Sequence, residues 1–171
     1  DEIAGRGELI SCYGQGAYSD HGKNQIFFEA QTMICMLLGM EFTAQTCHDG
    51  AQAAATAVSM ANRITGRKKI LLPANMNPQI LSTVKNYCYS VQEEQRLDLV
   101  MVNYDSKTGM VDLEDLKSKL DDTVAGVYLE NPNYLGQLEA DAPQIGQLAK
   151  AAGAEFIVNA NPLSLGVIEA P

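Results

Sequence analysis

The sequence predicts an α/β domain: a mainly parallel sheet with helices on both faces. Three observations carry this. From residue 66 onward, short segments that are apolar throughout recur, as strands buried on both faces do. Each is separated from the next by a segment of helical periodicity, the pattern of right-handed βαβ crossovers. The polar, turn-rich stretches "PANMNP", "NYDSKTG", "ENPNYLG" and "NANPLSLG" all fall after strands, where open α/β sheets bind their ligands. With 171 residues the chain is long enough for one domain with a hydrophobic core. That domain is expected to span 1–171, with an approach segment at 1–22, two helices in 23–65 and strand–helix units in 66–171.

The elements follow in order. Phe27, Ala30, Ile34, Leu37 and Leu38 recur at three- and four-residue steps, so 23–39 reads as a helix with one apolar face, stopped by Gly39. The run "TMICMLLGM" within it is expected to pack mostly into a core, with Cys35 as a buried thiol. "AQAAATAVSMANRI" is an alanine-rich helix of high propensity that Gly66 closes. "KILL" (69–72) is a strand, and "PQILSTVKNYCY" (78–89) a helix with Pro78 in its first turn. "LDLVMVN" (97–103) is a strand. "MVDLEDLKSKL" (110–120) is a helix entered through Asp112, acids early and lysines late. "TVAGVYLE" (123–130) is a strand, 142–153 a helix ended by Gly153, and "AEFIVN" (154–159) a last strand. "GVIEAP" follows so closely on it that the chain reads as a piece of a larger domain.

Composition narrows the partners. A formal net charge of −9 argues against nucleic acid, which needs clustered Lys and Arg. The longest basic run, "GRKK" (66–69), leads into a strand and reads as a solvated turn. No apolar stretch is long enough to span a bilayer and no signal peptide is visible, so no membrane role is expected. Four cysteines without CxxC spacing suggest neither zinc nor a disulfide frame, and a cytoplasmic location is expected.

The chemistry-bearing residues are sparse. Thr46-Cys47-His48-Asp49-Gly50 opens a helix, and free N–H groups at such a place suit an anion. Asp49 is a good N-cap and would repel a phosphate, so structural capping is the better reading of Asp49 and Gly50. His48 between Cys47 and Asp49 is no triad, whose members come from distant positions, and reads as pocket-lining or capping. His21 completes no metal site. Asn131–Asn133 is a turn at the ligand edge, open to a binding role. Glu93, Glu94 and the remaining acids read as solvated faces. No lysine sits at a strand's carboxyl end, so none recommends itself for a Schiff base.

Together, "YGQGAYSDH", "FFEAQTMICMLLGME", "HDGAQAAATA", "GRKKILL", "ENPNYLGQLE" and "FIVNANPLSLG" resemble, in that order, the glycine decarboxylase (P-protein) family of the glycine cleavage system, in its subunit-1 form. The resemblance implies the large domain of the fold-type-I pyridoxal-phosphate-dependent transferases. It implies an assembly with a related subunit 2, which carries the cofactor lysine, as a heterotetramer. The pair decarboxylates glycine and passes the aminomethyl group to a lipoylated carrier, the H-protein. The family pattern is expected to hold a further segment between His21 and Gly22 that is absent here. In catalytic relatives the strand matching "FIVN" ends in an aspartate that keeps the cofactor's ring protonated. Asn159 stands there, and Asn77 where a ring-stacking side chain is common. His48, Asp49, Gly50, Asn77, Asn131 and Asn159 thus mark a vestigial cofactor site, and pyridoxal phosphate is expected on the partner and not on this chain. The alternatives are a self-sufficient pyridoxal phosphate lyase or aminotransferase, and a non-enzymatic structural or regulatory α/β module.

Overall fold

Gly39 and Gly66, at φ of 65° and 70°, end two helices where a left-handed residue must follow the last turn. In the computed structural model the chain divides between them into two compact units, one of residues 1–46 with 168–170, the other of residues 47–167 with 171. The structure describes residues 2–9, 12–14, 17–19, 21–44, 47–89 and 92–170. Thr46, Asp1 and Pro171 lie outside the described residues, as do Gln15, Gly16 and Asp20 of the approach segment. The boundary between the units falls inside the predicted two-helix segment.

The first unit holds a short antiparallel pair, β1 (Cys12–Gly14) and β2 (Ala17–Ser19), and the helix α1 (His21–Leu38). After Gly39 the chain folds back on the helix. Gln31 donates to the Thr43 carbonyl at 2.8 Å, and Cys35 Sγ lies 2.8 Å from Thr43 Oγ1. Cys35 is therefore half-buried rather than buried. The expected packing of "TMICMLLGM" is also corrected: Met33, Met36, Leu37 and Met40 are exposed, as are Phe27 and Phe28. The apolar residues of α1 spread around the helix instead of forming one stripe, so no single face buries them together.

The second unit begins with α2 (Gly50–Thr65), then β3 (Lys69–Pro73), α3 (Pro78–Cys88), β4 (Asp98–Val102), α4 (Leu113–Lys119), β5 (Val124–Asn131), α5 (Ala142–Ala151) and β6 (Glu155–Ala160). The strands form one parallel sheet in the order β4-β3-β5-β6. Each predicted strand and helix is present to within a few residues of its expected bounds. Pro78 sits in the first turn of α3, and Asp112 caps α4 by accepting from the N–H groups of Glu114 and Asp115.

Two cores sandwich the sheet. On one face Ala54, Ala55, Val58 and Ala61 of α2 and Val84 of α3 pack on Ile70, Leu72, Ala125 and Tyr128. On the other, Leu116 of α4 and Ile145 and Ala149 of α5 cover Leu71, Val102, Val127 and Leu129. The alanines of α2 let that helix approach closely: a Cβ on Gly126 would stand 3.0 Å from that of Ala61. At the amino end of the sheet the Arg67 guanidinium ties β5 to the end of α5, one nitrogen lying 2.9 Å from each of the Val124, Ala152 and Gly153 carbonyls.

The chain leaves β3 towards β4 through α3, then returns past β3 to β5 and on to β6 through α4 and α5. The reversal puts α3 and α5 on opposite faces, as right-handed crossovers require. The sheet therefore has a switch point between β3 and β5, and a crevice opens there at the strands' carboxyl ends.

Candidate functional site

The crevice is a cleft of about 200 Å³ lined by Asn77, Ile80, Glu130, Pro132, Asn133, Tyr134, Asn159 and Asn161. Three strand ends supply these residues: the β3–α3 turn, the end of β5 with the segment after it, and the end of β6.

Glu130 is the cleft's one ionisable acid. It is 4% exposed, and burial raises its carboxyl above the ordinary range, against the opposing pull of the Asn77 N–H, the Tyr128 hydroxyl and the Asn159 amide. The Asn77 backbone N–H donates to Oε2 at 3.0 Å. The Tyr128 hydroxyl lies 3.3 Å from Oε1 and accepts in turn from Asn159 Nδ2 at 3.0 Å. Burial, then the Glu130 charge, pushes that hydroxyl above its own ordinary value. Tyr128 and Glu130 share a face because they are two residues apart on a strand.

The segment after β5 is held by a second buried acid. Glu139 is 3% exposed, and its Oε2 and Oε1 accept from the Val111 N–H at 3.1 Å and Asn133 Nδ2 at 2.8 Å. Asn133 Nδ2 also reaches the Gly109 carbonyl, while its Oδ1 takes the N–H groups of Leu135 and Gln137. Asn75 reaches the same carbonyl at 2.7 Å. The peptide bond before Pro132 is cis. "NPNYLGQLE" is thus a rim held by Asn131 and Asn133, which bind its own N–H groups, the Glu139 side chain and the Gly109 carbonyl.

Of the predicted site positions, the structure brings Asn77 and Asn159 together. Asn77 also caps α3, its Oδ1 accepting from the Gln79 N–H at 2.9 Å. Asn131 lies beside the cleft, its Oδ1 accepting from the Glu139 N–H at 3.2 Å. His48, Asp49 and Gly50 are exposed at the start of α2 and do not line the cleft. Asp49 caps the helix, accepting from Gln52 at 2.7 Å, and Gln52 answers with its own side chain to the His48 N–H at 3.0 Å.

The sequence reading missed Glu130, Tyr128, Tyr134 and Asn161. Its assignment of the remaining acids to solvated faces fails for Glu130 and Glu139, because both close buried hydrogen-bond networks, Glu130 near the end of β5 and Glu139 in the segment that follows it. The missed signal was an acid that ends an unbroken apolar run.

The donor set does not fit pyridoxal phosphate. A phosphate ester needs N–H donors and positive charge, yet no Lys, Arg or His lines the cleft and its one charge is Glu130. The start of α2 has already given an N–H to Asp49. The cleft is also small beside ligand sites of roughly 300–1,000 Å³. Among the described residues no cluster of three or more metal-binding side chains occurs, and no helix is long and apolar enough to cross a membrane.

Comparisons with known proteins place this geometry. The family model of the glycine cleavage system P-protein matches residues 6–171. A protein of Staphylothermus marinus named probable glycine dehydrogenase (decarboxylating) subunit 1 is 37% identical over 172 residues, 99% of this chain and 36% of that protein. A crystal structure of glycine decarboxylase (P-protein) of the glycine cleavage system, in inhibitor-bound form, superposes with a TM-score of 0.80 at 33% identity, over 99% of this chain and 37% of that one. A NifS-like protein shares the fold at a TM-score of 0.67 and 15% identity, over 94% of this chain and 43% of that one. The chain thus spans little more than a third of the relatives it matches. The stretches aligned with the curated relatives run from 170 to 175 residues against 171 here, so the segment expected between His21 and Gly22 is not missing. The approach segment is the family's own sequence in divergent form.

Proposed function

The chain belongs to the glycine cleavage system P-protein family, and from that premise we propose that it is a cofactor-free part of subunit 1 of glycine dehydrogenase (aminomethyl-transferring, decarboxylating). On this reading a subunit 2 holds pyridoxal phosphate and its lysine, and the two subunits together decarboxylate glycine. The aminomethyl group then passes to the lipoyl arm of the H-protein. The protein acts in the cytoplasm.

The observation that carries the cofactor-free reading is the sign of the cleft. The fold puts a crevice at the switch point between β3 and β5, where a phosphate-bearing aldehyde would be expected. The residues there are one buried carboxyl and a set of asparagines. A carboxyl group repels a phosphate, and an amide at Asn159 cannot keep a pyridine ring protonated. What these residues do instead is hold a fixed edge: Glu130 binds the β3–α3 turn through Asn77, and Asn133 and Glu139 fix the segment after β5. A rigid edge of this kind suits a subunit that completes and supports its partner's site.

Two measurements test the proposal. Pyridoxal phosphate titrated into the full-length subunit 1, followed by borohydride reduction and peptide mapping, is expected to give only scattered low-level lysine labelling. Stoichiometric labelling of one lysine would overturn the cofactor-free reading. Glycine–bicarbonate exchange is expected only when subunit 1, subunit 2 and the H-protein are mixed. Equal exchange without subunit 1 would overturn its role in the assembly.

A further inference from the structure

The two buried glutamates differ in a way the fold does not require. Both are almost wholly shielded, at 4% and 3% exposure. Glu139 is closed in by its partners, with both oxygens bound at 3.1 and 2.8 Å, and it does not line this cleft. Glu130 lines the cleft. Its Oε2 has one N–H at 3.0 Å, and its Oε1 has a hydroxyl at 3.3 Å, long for an O–H···O bond. A carboxylate can accept about four hydrogen bonds, so Glu130 keeps acceptor capacity in a place where water is scarce. Every partner it has is neutral. A buried carboxylate without a cation is costly, and such groups are found paired.

The rest of the cleft mixes donors and acceptors: Asn77 and Asn161 have spent their Oδ1 atoms on the Gln79 and Leu163 N–H groups and keep their NH2 groups. Asn159 turns its Nδ2 towards the Tyr128 hydroxyl and Glu130, which leaves its Oδ1 as an acceptor. Tyr134 and Asn161 are exposed at the rim, and an aromatic face attracts a desolvated cation. No positive side chain lines the space. At about 200 Å³ the cleft lies below the roughly 300–1,000 Å³ of ordinary ligand sites, so the group that enters it is small.

We propose that this cleft binds a primary alkylammonium group, with Glu130 as its counter-charge and the side-chain oxygen of Asn159 as a further acceptor. The group is the end of a small amine or of a lysine side chain from another protein. The site belongs to this chain and does not depend on its pairing with a subunit 2.

The test is a titration of the ¹⁵N-labelled full-length protein with butylammonium chloride, read by NMR at the Asn77 backbone amide that donates to Glu130. A saturable shift at Asn77 and at the Asn159 side-chain amide is expected, with a Kd of order 1 mM, a binding free energy of about −4 kcal/mol. Sodium butyrate, of equal length and opposite charge, is expected to leave both signals in place. Glu130→Gln is expected to weaken binding at least tenfold, whereas Glu139→Gln, equally buried but outside the cleft, leaves it unchanged; the dispersion of each spectrum reports that the variant is folded. Absence of saturation, equal binding of butyrate, or undiminished binding by E130Q would overturn the proposal. The two sources separate in a calorimetric titration of the full-length protein with and without subunit 2. Loss of butylammonium binding in the pair assigns the site to a partner's lysine, and its persistence assigns it to a free amine.

Discussion

Substituting Gly126→Ala tests whether α2 rests on β5 as closely as the structure places it. The added Cβ would lie 3.0 Å from the Ala61 Cβ and 3.5 Å from both the Glu155 carbonyl and the Ile157 side chain. Ordinary carbon–carbon contact is about 3.5–4.0 Å, so the new methyl is at least half an ångström too close. Neither neighbour yields easily. Ala61 has no torsion to turn and is 1% exposed, while β5 is hydrogen-bonded on both sides, to β3 and β6. Overpacking of this kind costs about 1–3 kcal/mol. Replacing a strand glycine by alanine returns about 0.5–1 kcal/mol through lost unfolded-state freedom. A net loss of about 1–2 kcal/mol is expected. Ala61→Gly alone removes a buried methyl worth about 0.8 kcal/mol and puts glycine in a helix interior at about 1 kcal/mol, a loss near 2 kcal/mol. In the double variant the clash is gone, so the pair should cost about 1–2 kcal/mol rather than the summed 3–4 kcal/mol. Urea unfolding of all four proteins, followed by far-UV circular dichroism, measures that coupling. A double variant as unstable as the sum of the two singles would refute the close approach.

Glu130→Gln should change the pH dependence of stability in one direction. The folded carboxyl is raised by burial above its unfolded value, so wild-type stability is full below the unfolded value and falls as pH rises through the folded one. Urea midpoints should therefore favour E130Q increasingly from acid towards neutral pH, and a wild type that gains on the variant over that span would contradict the buried charge. Asp49→Ala removes the carboxylate that caps α2 at 2.7 Å. It should cost about 1 kcal/mol, a fall of about 2–4 °C in Tm by differential scanning calorimetry, and leave butylammonium binding unchanged because Asp49 lies outside the cleft.

The elements of the second unit were legible because each rested on local chemistry that packing reinforced. β5 reads as a strand buried on both faces, and Val124–Glu130 are all buried. Pro78, Asp112 and Gly66 start or stop helices by backbone geometry, which tertiary contacts do not alter. α1 shows where the same reasoning fails. Periodicity identifies a helix but not what covers it, and the exposed Phe28, Met33, Met36 and Met40 are indistinguishable in sequence from core residues. The split of the two predicted helices between units was equally hidden, since no Pro- or Gly-rich linker marks residues 45–50.

The site was legible in position and misread in chemistry. Strand ends and turn residues located the edge, and Asn77 and Asn159 do meet there. The charge at that edge escaped because Glu130 was weighed by residue type, and glutamate is almost always solvated. Its position argues otherwise. The six preceding residues, Val124–Leu129, are buried, so Glu130 is carried inward by the strand before the chain can turn out to solvent. The next residues then turn within other hydrogen bonds, the Glu139 N–H donating to Asn131 and Asn133 donating to the Gly109 carbonyl, and offer Glu130 no cation. An acid held this way is kept by the fold against its own solvation. Unless something positive enters the cleft, its charge lowers stability at neutral pH, and binding of an ammonium group would turn that strain into affinity.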